Sequence, residues 1–261
     1  MERGFLRTSL NGSALTGLLS RLALIEGPTA KPSFVEGMGR WLGWTDAIPL
    51  AAALQEPTSV GGAKPPARPS RAPSLAAHVE REFTRVHAAL SRAIEDDGPP
   101  AADSRRRGQP VAASLEPVAA DTDFPPYRRR YIALQQAMEA GIRPLRTQAR
   151  TELARLSPEM SRLAAVDAVM CEVLGVREQA LLSTMPSLLE KHFKRMCRTH
   201  RETTVALDRA DAPDDVSHGG AWLIEFRKDM QRMLLAELDL RMQPVQGLLE
   251  TLQARPPGFH E

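Results

Sequence analysis

The chain has 261 residues, 34 basic against 32 acidic, and aromatic residues at only 5%. That near balance excludes a whole-molecule field strong enough to draw it to nucleic acid or an anionic membrane. Five Lys and 29 Arg beside abundant Ala fit the bias of a GC-rich bacterial genome, so arginine richness by itself carries no functional signal. Cys171 and Cys197 are too few for a disulfide framework and form no CxxC pair, which points to a reducing compartment.

The opening "MERGFLRTSLNGSALTGLLSRLALIEG" is broken by Asn11, Gly12, Ser13 and Arg21, so it lacks the apolar core of a signal peptide. No run approaches the roughly 18 apolar residues that a membrane span needs. A cytoplasmic protein is expected, peripheral to the inner membrane only through a protein partner.

Residues 1–56 read as an N-terminal helical docking segment. Ser33 and Glu36 form a capping box, and Phe34, Met38 and Trp41 follow at i, i+4 and i+7 on one face. Gly43 stops that helix and Trp44 lies in the corner. Asp46 is placed to cap a second short helix with Pro49 in its first turn and Ile48, Ala51, Ala52 and Leu54 on its apolar side. Two such helices are too small to fold alone, so Phe34, Met38, Trp41 and Trp44 are expected to dock on the rest of the chain or on a partner.

Residues 57–73 and 96–123 are rich in Pro, Gly, Ser and charge and read as flexible linkers. Between them Ser74 can cap an amphipathic helix over 74–95, with Leu75, Val79, Phe83, Val86, Leu90 and Ile94 as one stripe.

Residues 124–255 read as a bundle of long helices, with 256–261 a tail. Pro125 and Pro126 open a helix striped by Tyr127, Tyr131, Leu134, Met138, Ile142, Leu145, Ala149, Leu153 and Leu156, spanning about 45 Å. Ser157 and Pro158 start the next, with Leu163, Val166, Met170 and Val173 toward a partner helix, and Gly175 ends or bends it. A further helix is expected from about Arg177 to Leu207, burying Leu181, Leu182, Met185, Leu188, Leu189, Phe193 and Met196. The last runs from about Ala221 to Leu252 with Leu223, Phe226, Met230, Leu234, Leu238, Met242, Val245, Leu249 and Leu252 inward. Strand alternation is missing. The fold class is therefore all-α: an antiparallel bundle of long, proline-kinked amphipathic helices with a small N-terminal corner and two disordered linkers. Pro144, Pro186 and Pro244 should each kink or divide a helix, as packing bends or restarts or, in the sharper reading, as hinges.

The runs "SFVEGMGRWLGWTDAI" and "MLLAELDLRMQPVQGLLETL" resemble a family of bacterial proteins built around a domain of unknown function. The resemblance covers most of the chain outside the linkers; Trp-Thr-Asp and Glu-Leu-Asp-Leu-Arg are its most specific parts. It implies no catalytic residues. It does imply a genomic habit, in which such genes lie beside those for a proton-channel subunit of the MotA, TolQ and ExbB type and an OmpA-like cell-wall-binding partner.

Candidate chemistry is thin. His192, Cys197 and His200 share a helix, but His192 and Cys197 differ by about 140 degrees around it, and no second cluster completes a zinc site. Neither cysteine has an evident base. Asp211, Asp214 and Asp215 lack calcium-loop spacing. Catalytic residues, metal and cofactor are thus none, and no small-molecule substrate is implied. Residues 124–156 carry seven Arg against Glu139 and Glu152, and Arg128, Arg129 and Arg130 interleave with Tyr127 and Tyr131; these three are the candidate contacts for an anionic partner. The expected function is a non-enzymatic helical scaffold or adaptor acting through a protein partner or as a homo-oligomer, as accessory to a proton-driven inner-membrane motor in envelope function or phage defence. The alternative is a nucleic-acid-binding helical protein using 124–156.

Overall fold

The longest stripes in the sequence become the most deeply packed helices. A computed structural model describes residues 14–25, 44–55, 72–96, 123–208 and 220–254. They form seven helices: α1 (Ala14–Arg21), α2 (Trp44–Gln55), α3 (Ala72–Glu95), α4 (Pro125–Ala154), α5 (Pro158–Leu182), α6 (Met185–Asp208) and α7 (Ala221–Gln253). The architecture is an all-α bundle, and no strand occurs among the described residues. No helix among them is long and apolar enough to cross a membrane.

α7 is the centre. Its whole predicted stripe is buried, and Met233, Ala236, Leu248 and two acids join it. Because apolar residues extend well beyond one narrow seam, it packs against α1, α3, α4 and α6 together. Each fully buried Leu, Met or Phe contributes roughly 1.5–3 kcal/mol from water exclusion. α4 begins with Pro in its first turn, where the missing N–H costs nothing. Its stripe is buried from Tyr127 to Leu153; Leu156 lies past the helix end and is exposed.

Two core clusters result. The larger joins α1, α3, α4, α6 and α7, and at one end Phe124, Tyr127, Phe193, Trp222 and Phe226 pack with ring centroids 4.9–6.0 Å apart. The smaller joins Val79, Ala149, Leu153, Ala164, Leu249 and Leu252 at the other end.

Several local expectations change. Gly175 does not end a helix: α5 continues through it to Leu182, since glycine lowers helix propensity without forbidding a helix. The division falls at Ser183 and Thr184, whose hydroxyls turn back onto Ala180 O and Leu181 O and compete with further helix. Pro186 sits in the first turn of α6, so the break precedes it. Leu181, expected inside, is 61% exposed. Leu163, Val166, Met170 and Val173 are half-buried or exposed, because α5 turns a different row toward α4: Met160, Ala164 and Asp167. Ser157 caps α5 as expected, accepting from Met160 N at 3.2 Å.

α2 starts at Trp44, so Asp46 lies in its first turn instead of capping it, and Pro49 falls inside the helix. α2 packs on α5. It buries Ala53, whereas Ile48, Ala51, Ala52 and Leu54 face outward. α3 begins at Ala72, ahead of Ser74. α1 was not foreseen; Leu15, Leu18 and Leu19 bury its inner face within the larger cluster, and it packs on α7.

Candidate functional site

Two carboxylates are buried on α7, eight residues apart, and each gathers side chains from neighbouring helices. Glu237 has no exposure. Tyr131 of α4 donates its hydroxyl to Glu237 Oε2 at 2.9 Å. Gln135 Nε2 donates to both carboxylate oxygens at 2.9 and 3.1 Å, and also to Leu182 O at the end of α5. Arg241, one turn along α7, places Nε and Nη2 on Oε1 at 3.0 and 2.9 Å. Burial, followed by the Glu237 charge and hydrogen bond, pushes Tyr131 well above the usual phenol range, so it remains a donor. Glu237 is thus surrounded by donors. The arrangement ties α4, the α5 terminus and α7 in one register, a role for which buried polar groups are known.

Asp229 organises the second network. His192 Nε2 lies 2.8 Å from Asp229 Oδ2, and Arg195 Nη2 lies 2.9 Å from His192 Nδ1. A guanidinium has only donors, so Nδ1 must accept and the ring proton belongs on Nε2, donated to Asp229. Arg195 reaches on to Leu22 O at 2.5 Å, beyond the C-terminus of α1, while Arg232 Nη1 donates to Asp229 Oδ1 at 2.8 Å. One line of hydrogen bonds joins α1, α6 and α7. A general base needs a free acceptor nitrogen within reach of its proton source; here that nitrogen is filled by Arg195. The geometry is that of a packing lock.

A third ion cluster joins α4 to α5. Arg146 grips Asp167 in fork fashion, at 2.9 and 2.6 Å, and Arg150 lies 3.5 Å from the same carboxylate. Burial opposes the Arg146 charge, but the Asp167 bonds outweigh it and hold the guanidinium above its ordinary range.

The sequence-predicted sites are dispersed. Phe34, Met38 and Trp41 lie outside the described residues, and Trp44 enters only as the first residue of α2. Arg128 and Arg129 are exposed at the start of α4. Arg130 instead turns inward to Ile94 O and Asp96 O, closing the C-terminal end of α3. Of the other arginines in 124–156, Arg143 pairs with Glu139, Arg146 and Arg150 with Asp167, and Arg155 with Glu152. Pro144 and Pro244 lie inside α4 and α7. His192, Cys197 and His200 do not converge: His192 is held by Asp229, and His200 stacks on Trp222 at 5.9 Å. No group of three or more metal-ligating side chains occurs among the described residues. Asp211, Asp214 and Asp215 lie outside them.

The polar residues that matter most here, Glu237, Tyr131, Asp229 and His192, were missed as a set because each partner is remote in sequence. The local signals were helical pairs: Glu237 and Arg241 sit four apart at the ends of the Glu-Leu-Asp-Leu-Arg stretch, and His192 with Arg195 and Asp229 with Arg232 sit three apart, the spacings of neighbours on one helix face.

Comparison with curated proteins and with solved structures finds no match for this chain. The family model "Protein of unknown function (DUF3348)" matches residues 1–254, and the chain belongs to that family.

Proposed function

We propose that this protein is a non-enzymatic helical scaffold or adaptor that holds a protein partner on the layer formed by α2 and α5. The observation that carries the reading is the contrast between the composition of α5 and its burial. It is apolar around most of its circumference, yet buries only Ala164 and Leu182. Val176 is 75% exposed, with Leu181, Leu163 and, on α2, Ile48 and Leu54 also open. A helix apolar all round is one that expects cover on more than one side, and exposed apolar patches mark interaction surfaces. The buried acids support the same reading, since their capacity is spent on joining helices.

The resemblance to a family with motor-associated gene neighbours makes a proton-channel subunit of the MotA, TolQ and ExbB type the partner to test. Affinity purification of the full chain in mild detergent should recover such a subunit, and the double variant Val176→Asp, Leu181→Asp should lose it while retaining its fold. Recovery unchanged by the double variant, or repeated failure with the motor intact, contradicts the proposal.

Nucleic-acid binding through α4 keeps one support, the exposed pair Arg128 and Arg129. Its signature is salt-dependent retention of DNA or RNA that falls on charge reversal at these two residues.

A further inference from the structure

We infer that the cleft between the end of α1 and the outer face of α6 is a binding site for a dianionic oxyanion of the phosphate class. The cleft holds about 450 Å³ and is lined by Ala23, Leu24, Lys191, Arg195, Arg198, Thr199 and Glu202. The five α6 residues recur at i, i+4, i+7, i+8 and i+11, which places them on one side of the helix. Three cations against Glu202 leave a local charge of +2.

The cations of this face are not matched by internal acids. On α4 Arg143, Arg146 and Arg150, and just past its end Arg155, each have a carboxylate partner. On α6, Lys194 is paired with Glu190, but the ion pairs among the described residues include none from Lys191, Arg195 or Arg198. Arg195 is bound to groups that leave its charge uncancelled: Leu22 O at 2.5 Å, His192 Nδ1 at 2.9 Å and Ala23 O at 3.5 Å. These contacts fix the guanidinium before any ligand arrives, so an anion need not be charged for ordering it.

The opposite wall is also fixed. Ala23 has φ of 50°, in the left-handed region that usually calls for glycine. The backbone turns back there through Leu24 N donating to Leu19 O at 2.9 Å and Ala23 N to Ser20 O at 3.0 Å. Its carbonyl and that of Leu22 face Arg195. The cleft is therefore a preset concavity with a held guanidinium, two exposed cations and the Thr199 hydroxyl, the donor types that recognise phosphate. A phosphoryl dianion matches the local +2. The volume exceeds that of the bare ion, leaving room for the group that carries it.

The test is calorimetric titration of the full chain at low salt with inorganic phosphate and, separately, ribose 5-phosphate. The expected result is saturable one-to-one binding by at least one probe, weakened about tenfold by Arg198→Glu or Lys191→Glu, as loss of a charge-assisted contact requires. Both side chains are exposed, so neither substitution threatens the fold. Arg143→Glu, about 22 Å further along α4 than Arg128, should change affinity less than about twofold. Tighter binding of the ester assigns the site to a phosphorylated molecule; equal or tighter binding of inorganic phosphate assigns it to the free ion. No saturation by either probe below about 10 mM, an affinity too weak to be specific, or equal weakening by Arg143→Glu, overturns the inference.

Discussion

α7 and α5 are both rich in apolar residues, yet α7 buries fourteen of its 33 residues and α5 two of its 25. The difference lies in what surrounds each apolar position. α7 sets Asp229 and Glu237 among its core residues and draws α4, α6 and, through Arg195 and Gln135, the ends of α1 and α5 around itself. α5 has one committed side, the row containing Ala164 and Asp167 that meets α4, and α2 on another. Most of its remaining apolar side chains are only half-buried, and Leu163, Val176 and Leu181 stand at the surface. Apolar content therefore sets the demand for burial, while complementary groups on other helices decide where the demand is met.

The comparison can be broken most severely at Glu237. Glu237→Ala strands Arg241 and Tyr131 in the core, and chemical denaturation should show a loss of about 3–5 kcal/mol. Asp229→Ala should cost less, about 2–3 kcal/mol, because Arg232 is half in solvent and only the His192 side of the network is fully enclosed. Tyr131→Phe should cost about 1–2 kcal/mol by leaving one acceptor of Glu237 unfilled.

Tyr131 also carries a pH signature. Its folded pKa is raised above the ordinary 10.0, so its contribution is complete below pH 10 and is lost as pH rises toward the folded value, where the unfolded phenol is already ionised. Denaturation midpoints should fall above pH 10, and less steeply in Tyr131→Phe. On α5 the effects shrink and reverse. Gly175→Ala should stabilise by about 0.5–1 kcal/mol, since a Cβ meets nothing within 4 Å and the helix interior favours Ala. Val176→Asp should leave stability within about 0.5 kcal/mol, although it falls on the surface proposed for the partner.

The helices were legible where one periodic stripe met one core. The stripes of α4 and α7 are buried nearly as the spacing dictates, and Ser157–Pro158 marked a true helix start. α5 is harder to read because apolar residues occur at several angles around it, so periodicity selects no single face; the row through Leu163 and Met170 is the more apolar, yet the row with Ala164 and Asp167 meets α4. Gly175 misled for a related reason. Glycine lowers helix propensity without forbidding a helix, and the break went instead to the Ser183–Thr184 pair. The polar networks were hidden because Tyr131 and Glu237, or His192 and Asp229, meet only once the bundle has formed. Of the N-terminal aromatic cluster, Phe34, Met38 and Trp41 lie outside the described residues, while Trp222, which sequence reading passed over, packs against Phe193 and His200.

Native-state hydrogen exchange on the full chain tests the central contrast most directly. Amides in the middle of α7 should exchange only through global unfolding, while those of α5 around Val173 and Val176 exchange through smaller openings and slow when a partner covers them. Equal protection of α5 and α7 in the isolated protein would contradict the account.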